Sequence, residues 1–167
     1  MLKLFRNTNW HKSYWAERKI NWASSYTSTH NHPHRFLISR ILGTFRWLSL
    51  IEIGCGSGAN LIHIIRVFPG RQVGGVDINS DAIKEAQNYL NGAYLKVNSG
   101  DNVMMSDDST DVVLSDMCLI YVGPRKIKDY LKEMKRIGRH HIVLCEFHSD
   151  SWWNRMALRF NSGYYAY

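Results

Sequence analysis

Five short apolar segments alternate with amphipathic segments from about residue 47 onward. The apolar segments, rich in Val, Ile and Leu, are residues 47–53, 71–78, 93–98, 111–117 and 140–147. The three long segments between them that place apolar side chains near helical spacing are residues 58–68, 79–90 and 124–137. Strands that are apolar on both faces and are joined through helices form a parallel sheet. The pattern therefore predicts an α/β fold with a doubly wound, mostly parallel sheet and helices on both faces.

The ends of the chain lie outside this alternation. We expect a single domain of residues 1–167, in which residues 1–47 form one or two helices and a loop over the sheet. Residues 48–147 would be the core of the sheet, and residues 148–167 a short C-terminal segment. Its aromatic end, GYYAY, is β-prone. We expect it to begin a strand that has no partner, as in a chain that has been cut at this point.

Charge is unevenly distributed in an otherwise ordinary globular composition. The formal net charge is +7, with +7 in residues 1–49, −5 in residues 50–124 and +5 in residues 125–139. An acidic centre between basic flanks suits a cationic cofactor with an anionic acceptor beside it. Simple solubility is the alternative explanation of the basic flanks.

Two kinds of targeting segment that the sequence lacks bear on where in the cell the protein is located. No run approaches the ~20 apolar residues of a membrane span, and the N-terminus lacks the apolar core of a signal peptide. The three cysteines, Cys55, Cys118 and Cys145, lie in apolar runs without metal-ligand spacing. Free thiols of this kind are typical of a reducing compartment, so we predict a cytoplasmic protein.

The segment LIEIGCGSGAN, residues 50–60, places a glycine-rich turn directly after the first predicted strand. Gly54, Gly56 and Ala59 match the fingerprint of a dinucleotide-binding turn. However, Glu52 lies two residues before the first glycine, where its carboxylate would repel the pyrophosphate of NAD. The acid instead favours a cofactor that carries positive charge, such as S-adenosylmethionine with its amine and sulfonium. An NAD-dependent enzyme remains the alternative, although we identify no catalytic residues for one.

Further candidates for cofactor binding follow the second and third predicted strands. Asp77 closes the second strand, where its carboxylate can accept hydrogen bonds from ribose hydroxyls, and Ile78 would lie against adenine. After the third strand, Asp101 can accept from the adenine amino group, and the backbone of Asn102 or Val103 can meet the ring nitrogen. Asp77 or Asp101 alone could be a helix cap or a turn residue. Three acids in order at successive strand ends indicate a binding site.

Together these motifs resemble those of the class I S-adenosylmethionine-dependent methyltransferases, particularly the methyltransferase domain 11 type. The matching stretches are EIGCGSG from residue 52, GVDI from 75, GD from 100 and DDSTDVV from 107. The resemblance covers residues 48–147 and implies a Rossmann-like sheet of strand order 3-2-1-4-5. It also implies a final hairpin of sixth and seventh strands, which does not follow the predicted last helix at residues 150–160. The predicted cofactor-binding residues are Glu52, Gly54, Cys55, Gly56, Gly58, Asp77, Ile78, Asp101, Asn102, Val103 and Ser115.

Methyl transfer is an in-line displacement that depends on a well-placed nucleophile. It needs a general base only if that nucleophile must lose a proton. The candidate bases follow the fourth and fifth strands, with Asp116 and His148 preferred over Tyr121 and Glu146. Members of the family usually cap the cofactor with the segment before the glycine turn. The predicted substrate-binding residues are Tyr14, Trp15, Trp22, His34 and Tyr121.

The remaining motifs limit the range of possible acceptors. His30, His32 and His34 are split by Pro33 and have no nearby thiol or acid, so we predict no metal site and a lid contribution from His34. The Asn-Pro-Pro-aromatic signature of DNA amino methyltransferases is absent. This absence argues against methylation of DNA bases by that route and leaves small molecules, sugars, lipid-linked intermediates, proteins and RNA open. Among these we expect a small-molecule acceptor. The alternatives are a cofactor-binding protein without activity and an RNA-directed enzyme that uses basic residues such as Arg35, Arg40 and Arg46 and the basic helix of residues 125–136.

Overall fold

The sheet has five parallel strands in the predicted order. The computed structural model describes residues 9–167. Its strands are β1 (Ser49–Ile53), β2 (Gln72–Asp77), β3 (Tyr94–Val97), β4 (Thr110–Asp116) and β5 (Gly138–Cys145). They pair in parallel in the order β3-β2-β1-β4-β5. This confirms the doubly wound α/β fold and the strand order 3-2-1-4-5.

The helices follow the predicted positions with small shifts. They are α1 (Asn9–Ala16), α2 (Trp22–Ser25), α3 (Pro33–Leu42), α4 (Ala59–Val67), α5 (Ser80–Gln87), α6 (Ile127–Ile137) and α7 (Trp152–Ser162). Two short 3₁₀ helices cover Thr27–Thr29 and Leu119–Tyr121. Helix α6 begins three residues later than predicted, because Pro124 lies in the turn that precedes it rather than in its first turn.

Two apolar cores cover the two faces of the sheet. Leu50 and Leu114 lie in the core shared with α3, α4 and α5, whereas Ile51 and Val113 lie in the core shared with α6. Successive strand residues point to opposite faces. Glu52 of β1 therefore shares the face of Leu50, toward α3 and α4, which places a carboxylate beneath the start of α4.

The aromatic C-terminal end is not a strand. The Tyr165 N–H donates to the Ile120 carbonyl at 2.9 Å, and the Tyr167 N–H donates to the Phe147 carbonyl at 3.2 Å. The Tyr167 hydroxyl donates to the Val122 carbonyl. Because these bonds hold Tyr165 and Tyr167 against the segments that follow β4 and β5, the expectation that this end starts an unpaired strand is wrong. Within the described residues the sheet ends at β5.

Candidate cofactor and acceptor site

A cavity of about 300 Å³ opens at the carboxyl ends of β1, β2 and β4. Ligands of doubly wound sheets bind at this edge, where the strand order reverses. The glycine turn lies at one end, and α1, α2 and the loop after β4 form the surrounding wall. The predicted site residues that line this cavity are Glu52, Gly54, Cys55, Gly56, Asp77, Ile78, Asp101, Asp116, Trp15, Trp22 and Tyr121.

The glycine turn bends sharply into left-handed backbone after β1. Gly54 has φ +77° and Gly56 has φ +53°, a region that L-residues adopt at a cost. A Cβ on Gly54 would lie 2.4 Å from the Cys118 Sγ, whereas a Cβ on Gly56 would meet no atom within 4 Å. Gly54 therefore permits the close packing of two loops. Gly56 leaves open space at the cavity wall, where a ligand can approach the backbone.

Glu52 is a buried acid with one unused oxygen. Its side chain is 1% exposed, and its Oε1 accepts a hydrogen bond from Asn60 Nδ2 at 2.6 Å. Its Oε2 has no hydrogen-bond partner. Burial raises the pKa of Glu52 to about 8, against the opposing effects of the Asn60 hydrogen bond and of the Arg35 charge. A cationic ligand in the cavity would supply both the missing hydrogen bond and the missing countercharge.

Asp77 links the end of β2 to the glycine turn. Its Oδ2 accepts from the Gly56 N–H and its Oδ1 from the Asn79 N–H, both at 2.8 Å. Burial raises the pKa of Asp77, while these backbone hydrogen bonds lower it. The carboxylate thus lies beside the turn, as expected of a residue that also meets a ribose.

Four predicted cofactor residues lie away from the cavity wall. The Val103 N–H donates to Glu133 Oε1 at 2.6 Å, and the Asn102 N–H donates to the Ser99 carbonyl at 3.2 Å. Both N–H groups expected to meet adenine are therefore used within the protein. Ser115 donates to Glu146, and Gly58 packs against α5 and Leu90.

Asp116 lies at the opposite end of the cavity from Asp77. Its Oδ2 accepts from Asn60 Nδ2 at 2.9 Å and contacts His34 Nε2 at 2.8 Å. Its side chain is 9% exposed. The next residue, Met117, has φ +54°, an uncommon conformation for a side chain of this size. This turn starts the loop that continues over the cavity to Tyr121.

The other candidate bases have different roles in the structure. His148 is exposed, with Nε2 at 3.1 Å from Asp150 Oδ1, and it does not line the cavity. Glu146 is a structural anchor, because its Oε1 accepts from the Ser115 hydroxyl at 2.6 Å and from the Cys118 N–H at 3.1 Å. Burial and a neighbouring tyrosine raise the pKa of Tyr121. Of the two preferred candidate bases, Asp116 lines the cavity and His148 does not.

The predicted substrate residues form most of an aromatic wall. The rings of Trp15 and Tyr121 meet edge to face, with centroids 5.0 Å apart, and Trp22 pairs with Tyr26 at 5.4 Å. Tyr14 packs on Trp15 outside the cavity lining.

Three residues of the site, Asn60, Asn79 and Arg35, were not predicted as site residues from the sequence. Asn60 bridges Glu52 and Asp116. The sequence offers Asn60 only as an early residue of α4, on the turn that faces back toward β1. Asn79 caps α5, and its Nδ2 also donates to the Trp15 and Arg18 carbonyls at 2.7 and 2.9 Å.

The third missed residue, Arg35, was assigned only to nucleic-acid binding. Its side chain is 7% exposed and lines the cavity. One terminal nitrogen donates to the Thr29 carbonyl at 2.8 Å, while Nε has no partner. Burial lowers the pKa of Arg35, against the raising effect of Glu52 and Asp116. No local motif marks this arginine, because α3 brings it to the site from outside the alternating segments.

Residues 9–167 contain no group of three or more His, Cys, Asp or Glu side chains arranged to hold a metal ion. Over the same range, no helix is both long and apolar enough to cross a membrane.

A family model described as a methyltransferase domain matches residues 50–141, from β1 into β5 and across the glycine turn, Asp77 and Asp116. This chain belongs to the methyltransferase-domain family. The membership confirms the predicted methyltransferase family. No curated protein sequence matches this chain significantly.

Solved structures of methyltransferases share the fold of this chain at low identity. Phosphoethanolamine N-methyltransferase 1 of Haemonchus contortus, solved with phosphoethanolamine and S-adenosylhomocysteine, is 19% identical with a TM-score of 0.67, over 86% of this chain and 33% of that one. Magnesium protoporphyrin IX methyltransferase of Synechocystis, solved with S-adenosylmethionine, is 15% identical with a TM-score of 0.67, over 100% and 82%. A sugar N-methyltransferase of Streptoalloteichus is 18% identical with a TM-score of 0.62, over 71% and 49%. The chain thus spans about one third of the first protein and half of the third.

Proposed function

We propose that the protein transfers a methyl group from S-adenosylmethionine to a small-molecule acceptor by in-line displacement. The observation that carries this proposal is the Glu52 carboxyl, buried at the cavity wall with an unpartnered Oε2. When bound, the cofactor supplies a methyl group already activated by positive sulfur. The protein would then contribute binding, orientation and the exclusion of water.

The charged side chains of the cavity suit the charges of that cofactor. Glu52 Oε2 would accept a hydrogen bond from its ammonium group, and Arg35 Nε would donate to its carboxylate. Asp77 would receive the ribose hydroxyls. The remaining cofactor contacts would come from the turn and from lining residues Gly54, Cys55, Gly56, Ile78 and Asp101.

The acceptor would occupy the aromatic end of the cavity. Trp15, Trp22 and Tyr121 would bind it, with Asp116 as the catalytic acid or base candidate in place of His148, which is outside the cavity. Two structural neighbours act, by their names, on phosphoethanolamine and on a sugar, and this supports a small molecule. Three free cysteines support the proposed cytoplasmic location.

Calorimetric titration with S-adenosylmethionine, S-adenosylhomocysteine and NAD tests the cofactor half of the proposal. We expect micromolar binding of the first two and none of NAD. Gly56→Ala should weaken binding more than tenfold, because the added Cβ enters the space left for the ligand. Gly70→Ala is the matched control, since Gly70 also has a left-handed φ (+82°) with no atom near its Cβ but lies outside the cavity.

Two results would overturn the proposal. Binding of NAD but not of S-adenosylmethionine would mean that NAD is the cofactor. Binding of S-adenosylmethionine without transfer of its radiolabelled methyl group to any acceptor of a broad panel would identify a cofactor-binding protein without activity.

A further inference from the structure

Asp116 combines burial with a free oxygen. Its Oδ2 is held by two neighbours, His34 and Asn60, and Oδ1 has no hydrogen bond or ion pair within the described residues. The side chain is 9% exposed and lines the cavity. Unlike Glu52 Oε2, which is fully enclosed, Asp116 Oδ1 is accessible from the cavity. A donor group of a ligand can therefore reach this oxygen while the other is held by the protein.

The two partners of Asp116, His34 and Asn60, fix the orientation of its carboxylate. His34 does not line the cavity, and its other ring nitrogen, Nδ1, lies 2.8 Å from His32 Nδ1. Asn60 is held in turn by Glu52. Because both anchors bind the same oxygen, they leave Oδ1 as the group available to the cavity. His34 is thus a positioning residue for Asp116.

Aromatic faces border the same space. Trp15, Trp22, Tyr26 and Tyr121 line the cavity together with Asp116, and Tyr121 follows Asp116 in the loop after β4. Aromatic rings attract a cation through their negative faces. Arg18 already illustrates this attraction, since its guanidinium lies 5.1 Å from the Trp15 ring centroid.

Three cationic side chains line the cavity, Lys12, Lys126 and Arg35. Lys126 lies 3.0 Å from Asp129 and 3.8 Å from Asp101, and it is exposed, as is Lys12. Arg35 is buried and has Glu52 and then Asp116 as its acidic neighbours, so its charge faces two carboxylates. The acceptor end thus combines the Asp116 carboxylate with aromatic rings, which suits a cationic acceptor, in contrast to the anionic acceptor expected from the charge distribution along the chain.

We propose that the acceptor is an amine, bound as its ammonium by Asp116 Oδ1 against the aromatic wall. Before transfer, the ammonium would give one proton to Asp116. The freed nitrogen lone pair would then form the new N–C bond as the methyl–sulfur bond breaks, with S-adenosylhomocysteine as the leaving group. This inference rests on the proposed function and specifies its substrate class. Asp116 discriminates between acceptors, and His34 holds the Asp116 carboxylate in place.

The test uses three probes that share a phenyl ring and a short chain but differ in charge: phenethylammonium, 2-phenylethanol and phenylacetate. Each is titrated into protein saturated with S-adenosylhomocysteine. We expect phenethylammonium to bind at least tenfold more tightly than 2-phenylethanol, and phenylacetate to bind most weakly. Equal affinity for all three probes, or the tightest binding of phenylacetate, would overturn the proposal.

Variants separate recognition from folding. Asp116→Asn should abolish the preference for the ammonium probe, and His34→Asn should reduce it severalfold. Asp150→Asn is the control, because Asp150 is an exposed acid outside the cavity and its variant should keep the wild-type preference. A preference that persists in Asp116→Asn protein would contradict the assignment.

Binding of S-adenosylhomocysteine is measured first for every variant. Wild-type protein that does not bind it would contradict the proposed function. Normal binding without discrimination among the probes would contradict only the amine inference. Should Asp116→Asn fail to fold, the wild-type probe ranking and the His34→Asn comparison still decide the question.

Discussion

The two ends of the cavity are built in different ways. The cofactor end consists of one continuous turn, residues 52–60, and the last residue of β2. The proposed acceptor end collects Trp15 from α1, Trp22 from α2, Asp116 from the end of β4 and Tyr121 from the loop after it, while His34 of α3 contacts Asp116 from outside the cavity. The first depends on backbone geometry set by two neighbouring strands. The second depends on how separate segments pack, which allows acceptor specificity to change while the cofactor end is kept.

The largest effect is expected at the cofactor end, from Gly54→Ala. Its φ of +77° and the 2.4 Å approach of a Cβ to the Cys118 Sγ combine backbone strain with overpacking. We expect the free energy of unfolding to fall by about 3 kcal/mol or more. Urea denaturation measures this change.

Gly70→Ala, with the same sign of φ and open space, should cost only about 1 kcal/mol. Similar losses in the two variants would show that the turn does not depend on the close contact between Gly54 and Cys118.

Asn79→Ala tests how the segment that carries Trp15 is held against α5. The side chain caps α5 by accepting from the Ala82 N–H at 2.9 Å, and it holds the carbonyls of Trp15 and Arg18. Loss of a cap and of buried hydrogen bonds should cost about 2 kcal/mol. Hydrogen exchange should accelerate at the amides of α1.

Asn88→Ala is the control, because the Asn88 side chain is exposed and donates only to Glu85. Unchanged exchange in α1 of Asn79→Ala protein would mean that other contacts hold this segment.

Glu52 should make cofactor binding depend on pH. With a pKa of about 8, the carboxyl is mostly protonated at pH 6.5, whereas a cationic ligand binds its ionised form. Affinity for S-adenosylmethionine should therefore rise by up to about tenfold per pH unit between pH 6 and 7.5, with release of close to one proton. Calorimetry in buffers of different ionisation enthalpy measures both quantities.

The same carboxyl affects stability with a defined sign. Since folding raises its pKa from an ordinary value of 4.5 to about 8, its contribution is fully present below pH 4.5 and is lost as the pH rises through 8. Glu52→Gln protein should thus gain stability relative to wild type between pH 5 and 8. A parallel pH profile for the two proteins would be inconsistent with a buried, protonated Glu52.

The smallest effect is expected from Lys19→Ala. Lys19 lies 2.5 Å from Asp81, but the two side chains are 77% and 43% exposed. An exposed ion pair contributes little, so the free energy of unfolding should change by less than about 0.5 kcal/mol. Thermal unfolding at low and high salt measures it. A loss comparable to that of Asn79→Ala would mean that surface charge, rather than the buried amide, holds this region.

The sequence by itself determined the sheet and the cofactor end. Strand segments that are apolar on both faces leave few alternatives to a parallel sheet, and Glu52, Gly54, Gly56 and Asp77 lie at strand ends that must meet at one edge. Local patterns were enough because each of these residues is placed by the strand that carries it.

Tertiary structure alone decided the acceptor end and which distant residues reach the cofactor end. The sequence could name Trp15, His34 and Asp116, but not that His34 contacts Asp116 across 82 positions or that Arg35 enters the cavity. It also could not show that the Val103 N–H is used by Glu133 or that His148 lies outside. These outcomes depend on packing between segments far apart in the chain. Such packing depends on the whole core, and the local spacing of residues along the sequence does not reveal it.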